Sequence, residues 1–416
     1  MKRISLAASL AAVFALFAGS AARANPLASL RAHIAHELAL VGPYDGARVY
    51  DVTAHRLLFA ERARVARPPA SVEKLYTATT ALELLGPEYR LATRVLANPG
   101  LVSAGTVNGN LYLRGGGDPT FGSAAFIAGH YGGVGTAVRS LAWELARVDG
   151  IRRVTGRIVG DESFWDSLRG EPSSGYAFDP YLEGQLSALE FNRGQSGEYT
   201  GPNAQAQYAA RQLLGSLRGF GVRVEGAAAA GVTPPGAATL AIAPSPTVAQ
   251  LLGLTLPPSD NFFAESLVKD LGALRGAGGT TADGAAVVRA TLAHRFGLHP
   301  RIVDGSGLSE QDRTSPEQVT RLLTALYPTA QGRVLRSKLA VAGLSGTLEL
   351  RMRHTAAQGR CQGKTGTLTG VSNLAGYCRA ADGHILAFAV FNDSAAIESA
   401  HTVQDNIAIT LARYRG

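Results

Sequence analysis

Pro68-Pro69-Ala70-Ser71-Val72-Glu73-Lys74 leads into a run, residues 72–85, that reads as a helix closed by Gly86-Pro87. Lys74 follows Ser71 by three residues, one helical turn on and on the same face. An amine is thereby brought within reach of a hydroxyl. A serine is a weak nucleophile until its proton is removed, and a lysine removes it only when burial and positive neighbours lower its pKa. The helix N-terminus also favours negative charge developing near Ser71. Two further motifs follow in order, Ser259-Asp260-Asn261 and Lys364-Thr365-Gly366-Thr367. S-x-x-K, S-D-N and K-T-G together describe a serine acyl-transfer site. Each motif alone is weak. Ser266-Leu267-Val268-Lys269 is a second S-x-x-K, but it lies inside the helix expected after Ser259, with no K-T-G in the right relation, and reads as chance. The chain has five lysines against thirty-five arginines, and two of the five fall inside the three motifs.

Ser259-Asp260-Asn261 follows Pro257-Pro258 and precedes a helix expected over residues 262–271. Ser, Asp and Asn all cap helices well, and capping is compatible with catalysis. Ser259 is expected to relay a proton to the leaving group, and Asn261 to hold Lys74 and a substrate amide. The K-T-G segment is expected on an edge-accessible strand, where Gly366 lets a substrate backbone approach closely. Lys364, Thr365 and Thr367 are suited to grip a terminal carboxylate, and Lys364 is the positive neighbour expected to lower the pKa of Lys74. The N–H groups of Ser71 and Thr367 would form the oxyanion hole, each donor worth about 3 kcal/mol. Gly363-Lys364-Thr365 also ends like a phosphate loop. That motif needs a glycine where Gln358 stands, and the preceding residues do not read as a strand leading to a helix.

The first residues are of another kind. Lys2 and Arg3 open the chain, residues 4–17 form an apolar run, and Ala22-Arg23-Ala24 is an A-x-A cleavage site. Residues 1–24 are expected to be a signal peptide, cut before Asn25. The apolar run is short for a span of about 20 residues, and no later stretch is long and apolar enough to cross a bilayer, so the protein is expected to be exported to the periplasm. The net charge of +8, less the three charges of Lys2, Arg3 and Arg23, leaves +5. The arginines are scattered, without a basic run or aromatic-interleaved stripe, which argues against nucleic acid as a partner. His33-Ile34-Ala35-His36-Glu37 has the wrong order for either zinc-protease helix motif, and no Cys/His ligand set exists. Neither metal nor cofactor is implied.

Leu27, Leu30, Ile34 and Leu38 recur at helical spacing before Gly42-Pro43. Residues 47–60 read as two strands around a turn near 53–56. Residues 359–368, 371–380 and 384–391 read as successive strands, with Asp382-Gly383 a hairpin turn. An amphipathic helix, residues 396–414, closes the chain. Both ends can therefore share one α/β (α+β) unit, terminal helices on an antiparallel sheet, made of residues 25–90 and 246–416. Residues 91–245 read as a β-rich insertion of short alternating segments such as 106–113 and 157–160. Taking Thr369-Gly370 as a two-residue loop sets Leu368 opposite Val371. Antiparallel pairing keeps the position sum constant, so Cys361 falls opposite Cys378. In an exported chain the two are a possible disulfide; two buried free thiols are the alternative.

At this point the chain resembles the D-Ala-D-Ala carboxypeptidase/endopeptidase family of low-molecular-mass class C penicillin-binding proteins over nearly its whole mature length. Besides the three motifs, the resemblance rests on Gly115-Gly116-Gly117-Asp118-Pro119-Thr120, on Ser187-Ala188-Leu189-Glu190-Phe191-Asn192 and on Phe262-Phe263-Ala264-Glu265 after the second motif. It rests also on Asp304-Gly305-Ser306-Gly307-Leu308-Ser309, Gly346-Thr347-Leu348 and Asn373-Leu374-Ala375-Gly376-Tyr377. The resemblance implies a serine β-lactamase/transpeptidase-like domain interrupted between S-x-x-K and S-x-N. It makes Ser71 the acylated serine, Lys74 the proton acceptor, Ser259 a further catalytic residue and Lys364 a substrate-binding one. The implied partners are peptidoglycan stem peptides and β-lactam antibiotics. Only 184 residues separate Lys74 from Ser259, short for that family, so one inserted domain is expected to be reduced or missing. The rival readings are a serine β-lactamase or related esterase, which needs an efficient deacylating base, and a non-enzymatic cell-wall-binding protein, which would not need intact motifs.

Overall fold

The computed structural model describes residues 25–195, 201, 203–393 and 396–416; the expected signal segment, 1–24, lies outside the described residues. The two ends of the chain build one six-stranded antiparallel sheet. Its order is Ala340–Val341, Cys361–Leu368, Val371–Arg379, Ile385–Asp393, Gly46–Asp51 and Arg56–Glu61. The strands Val371–Arg379, Ile385–Asp393 and Gly46–Asp51 alternate little and are buried over most of their length, because helices cover both faces. On one face, Leu30, Ile34 and Leu38 of the first helix, Pro26–Ala39, pack with Val403, Ile407 and Leu411 of the last, Ile397–Arg413, against Val49, Leu374, Phe388 and Val390. On the other face, Leu75, Ala78 and Leu82 of helix Lys74–Leu84 meet Phe262, Leu267 and Leu271 of helix Asn261–Arg275, over Ala375, Tyr377 and Phe391. The α/β fold class expected from the sequence holds. No helix among the described residues is long and apolar enough to cross a membrane.

The insertion has its own core, with Val95, Leu113, Ile158, Leu213 and Leu217 at its centre. Strands Arg90–Ala97 and Ala238–Thr247, through which the chain leaves and re-enters, pair with each other. They belong to a five-stranded sheet completed by Leu111–Arg114, Ile158–Asp161 and Ala228–Ala230. Besides its strands, which form a five-stranded and a four-stranded sheet, the insertion holds helices that the sequence reading did not name. Three helices, Ala124–Tyr131, Val138–Trp143 and Ala204–Gly219, share the insertion, and two of the five-stranded sheet's pairings are parallel. Helix Ala204–Gly219 lies so close to the sheet that a Cβ on Gly160 would stand 1.9 Å from Ala206 O. Its buried apolar residues are alanines over the first half, Ala204, Ala206, Ala209 and Ala210, and leucines, Leu213, Leu214 and Leu217, over the second.

In the hairpin Cys361–Leu368/Val371–Arg379, Leu368 faces Val371 across Thr369-Gly370, with Gly370 at φ +70°. Cys361 faces Cys378, and their sulfurs are joined. The bridge closes a loop of sequence separation 17, for which chain entropy gives about 3 kcal/mol of stability. Exported protein should therefore weigh two hydrogens less before reduction than after it, and replacing both cysteines by serine should lower the unfolding free energy by about that amount. Two titratable thiols in the native exported protein would show that the bridge is not made.

Candidate active site

The register of the K-T-G strand decides which of its groups face solvent. Gly363 and Gln362 pair with Ala340 and Val341, and there the outer neighbour ends. Ala342 N donates to Cys361 O from the outer side, while Arg379 N donates to Arg360 O from the inner. Alternation along an antiparallel strand then turns the N–H and C=O of Thr365 and Thr367 to the open edge. The amide of Thr367 is thus free to meet a developing oxyanion. Thr365 Oγ1 donates to Thr347 Oγ1 at 2.8 Å, extending a row of hydroxyls along that edge.

The turn that carries Ser71 is pressed onto this strand. Ser71 lies in the 3-10 turn Ala70–Glu73, which runs into helix Lys74–Leu84. Asn373, paired with Gly366, donates from Nδ2 to Pro68 O at 3.0 Å and Pro69 O at 2.9 Å. A Cβ on Gly366 would stand 2.6 Å from Pro69 O and 3.0 Å from Val72 N. Gly366 was expected to let a substrate backbone approach; the structure adds that the space a side chain would take there is filled by the nucleophile turn. Ala70 sits at φ +48°, a conformation that L-residues seldom adopt and that persists where surrounding contacts over-determine it.

Lys74 is buried and Ser71 half-buried. Lys74 Nζ has three partners, Ser71 Oγ at 2.8 Å, Asn261 Oδ1 at 2.6 Å and Ser306 O at 2.7 Å. Asn261 Nδ2 donates to Tyr181 O at 2.8 Å, which turns Oδ1 towards the amine. Asn261 Oδ1 and Ser306 O can only accept. A neutral amine has two N–H groups and one lone pair, so these acceptors take both protons and leave the lone pair facing the Ser71 hydroxyl. Burial lowers the pKa of Lys74 to about 8, against the opposing pull of Asp304, Glu73, Glu265 and Asp260. The sequence expectation placed that lowering on burial together with Lys364 as a positive neighbour. The structure assigns it to desolvation, and Lys364 is itself pushed well below the usual lysine range, first by burial and then by the charge of Lys74.

Lys364 is fully buried, and its Nζ donates to Thr365 O at 2.9 Å. Ser259 stands at φ +68°, half-buried, just before the cap Asp260. Among the described residues its hydroxyl makes no hydrogen bond, and it is not a partner of Lys74. Asp260 accepts from Phe263 N at 3.0 Å and grips Arg193 at 2.6 and 3.1 Å, tying this turn to the insertion. The second S-x-x-K is accounted for by packing. Ser266 is buried and bonded to Phe262 O at 2.8 Å, and Lys269 reaches Asp166 instead. The parts that the motifs did not announce are Ser306 O, Tyr181 O, Thr347 and Asn373. The segments holding Ser306, Thr347 and Asn373 carried the resemblance, without a stated role.

The sequence matches the D-Ala-D-Ala carboxypeptidase 3 (S13) family over residues 27–197 and 197–414. The chain belongs to that family. It is a serine-type D-Ala-D-Ala carboxypeptidase, a hydrolase of the penicillin-binding, peptidoglycan-acting kind. It is 29% identical to a D-alanyl-D-alanine carboxypeptidase from an Actinomadura species, over 97% of this chain and 87% of that one. It is 28% identical to a carboxypeptidase from Mycolicibacterium smegmatis, over 88% of this chain and 79% of that one. The fold is similar to that of penicillin binding protein 4 from Haemophilus influenzae, with a TM-score of 0.75 and 21% identity over 90% of this chain and 97% of that one.

Proposed function

We propose that the protein is exported to the periplasm and cleaves D-alanyl-D-alanine stem peptides as a carboxypeptidase, an endopeptidase or both, through an acyl-enzyme on Ser71. The observation that carries this reading is the three-partner setting of Lys74, which in the neutral amine leaves one lone pair for one hydroxyl. Lys74 takes the Ser71 proton as Oγ attacks the carbonyl of the penultimate D-alanine. The N–H groups of Ser71 and Thr367 hold the oxyanion. The proton then passes to the departing amine through Ser259, and water hydrolyses the ester and restores the Ser71 hydroxyl. The arrangement of the carboxylates supports a slow last step, because Glu73, Glu265 and Asp304 are all buried beyond Lys74. The signal segment at residues 1–24 supports the location.

Lys364 is the proposed carboxylate reader. Among the described residues its buried amine has a carbonyl as its hydrogen-bond acceptor and no carboxylate partner, so a substrate carboxylate supplies a counter-charge. Purified protein is to be given muropeptides and the products read by mass spectrometry, alongside peptides ending in a free acid or an amide. Loss of one terminal D-alanine or scission of cross-links is expected, with amides strongly disfavoured. Lys364→Ala should lower activity on free acids by roughly 30-fold or more, since truncating one member of a buried charge pair costs at least about 2 kcal/mol. Equal cleavage of acid and amide would remove Lys364 from this role and favour an esterase. Turnover of penicillin within seconds would favour a β-lactamase, and failure to label with penicillin a wall-binding protein.

A further inference from the structure

Behind Lys74 lie four carboxyl groups, Glu73, Glu265, Asp304 and Asp312, all fully buried. Acids are almost never buried so completely without a task or a partner, and the acyl-transfer steps above use none of them. Glu265 stands four residues after Asn261 on the helix Asn261–Arg275, so the two share one face. Glu265 Oε1 accepts from Gly305 N at 2.9 Å and Ser306 N at 2.7 Å. Those two N–H groups belong to the two peptides immediately before the one whose carbonyl, Ser306 O, faces Lys74. Asp304 folds the same loop on itself, accepting from Ser306 N at 3.1 Å, Gly307 N at 2.7 Å and Ser309 N at 2.7 Å.

The loop is wedged between both catalytic elements. A Cβ on Gly305 would lie 2.6 Å from Ala264 O, on the S-D-N helix. A Cβ on Gly307, at φ +81°, would lie 2.0 Å from Ala70 O, on the nucleophile turn. No side chain fits at either place, so the loop's position is set by backbone contact and by the Glu265 tether.

We propose that Glu265 is a positioning residue for the base. It ties the Gly305-Ser306 peptides to the helix bearing Asn261, so that Ser306 O and Asn261 Oδ1 together orient the amine of Lys74 towards Ser71. The inference rests on the acyl-enzyme reading above. It assigns to one buried carboxylate the alignment of both proton acceptors of the base.

The tether also faces charge from every side. Glu73 and Lys74 act on Glu265 from the nucleophile segment, Asp304 from the loop, and Glu171 and Tyr176 from the insertion; Asp260 acts on Lys74, Lys74 on Lys364, and Asp312 is set against Asp304 and Glu73. Burial, then Asp304, raises Glu265 to about 8, the range in which Lys74 also loses its proton. The two titrations overlap. An ionised Glu265 holds the proton on Lys74, so the acid limb of acylation is spread and displaced upward.

The test is the second-order rate of penicillin acylation against pH for wild type, Glu265→Gln and Glu265→Asp. Glutamine keeps an acceptor oxygen at full reach without the charge. Aspartate keeps the charge but stops one methylene short of the loop. Glu265→Gln should retain the plateau rate to within about 5-fold and show a sharper acid limb with a lower midpoint. Glu265→Asp should acylate about 100-fold more slowly at every pH, the cost of a misplaced base. Acylation of a folded Glu265→Asp within about 3-fold of wild type overturns the tether, as does a Glu265→Gln variant as slow as the aspartate one. Should Glu265→Asp not fold, an unchanged acid limb in Glu265→Gln decides against the inference. Failure of the wild type itself to acylate is a different result and strikes the acyl-enzyme reading instead.

Discussion

Ser71→Ala abolishes labelling by a fluorescent penicillin and leaves the protein folded. The expectation follows from position rather than from residue type. Among the described residues, Ser71 alone combines partial exposure, a hydrogen bond of 2.8 Å to a buried amine and a place beside the open edge of the K-T-G strand. Ser266, which shares the motif pattern, is fully buried with its hydroxyl given to Phe262 O. The substitution removes one hydroxyl from a turn held by Asn373 and by the close fit of Gly366 and Gly307, none of which uses the Ser71 side chain. Thermal unfolding should therefore change little while labelling vanishes. Mass spectrometry of the wild-type adduct should place the acyl group on the tryptic peptide holding Ser71. An adduct on any other serine, or residual labelling of the variant, would contradict the assignment.

How much of this could be read beforehand depended on whether the information was local. The K-T-G hairpin was legible because Thr369-Gly370 fixes a register, and counting outward from it sets Cys361 against Cys378. The nucleophile helix and the S-D-N helix were legible because a motif sat at the head of each. The helix Ala204–Gly219 was not, since the buried apolar residues of its first half are alanines and its place depends on Gly160, forty-four residues earlier. The close fit at Gly366 was hidden for a related cause. The motif shows that a glycine is needed there, but only the fold shows that a side chain would meet Pro69 and Val72. The third partner of Lys74 is a main-chain carbonyl, Ser306 O, a group that every residue has and no motif can mark. Burial of Glu73, Glu265, Asp304 and Asp312 is likewise a property of packing. In the sequence they are ordinary acids, and only the assembled helix, turn and loop make them the setting of the base.

Lys74→Arg should slow acylation by about 1,000-fold, within the range that a positioned general base contributes. Arginine keeps the positive charge and can still donate to Asn261 Oδ1 and Ser306 O, so the surroundings that satisfy the lysine remain in use. What it cannot do is release its proton at working pH, and the lone pair that faces Ser71 is lost. The pH profile separates this from a packing defect. Base catalysis needs the neutral amine, and Lys74 is lowered to about 8. Wild-type acylation should therefore rise with pH, by up to about tenfold per unit below that value, and level off above it. The arginine variant should lack this limb and run low and flat through the same window. A folded Lys74→Arg protein that loses less than about tenfold, some 1.4 kcal/mol in the barrier, or that keeps the wild-type limb, would mean that another group takes the Ser71 proton. Lys364 would be the first to test, because it is the other buried amine at this site and its pKa is lowered further by the charge of Lys74.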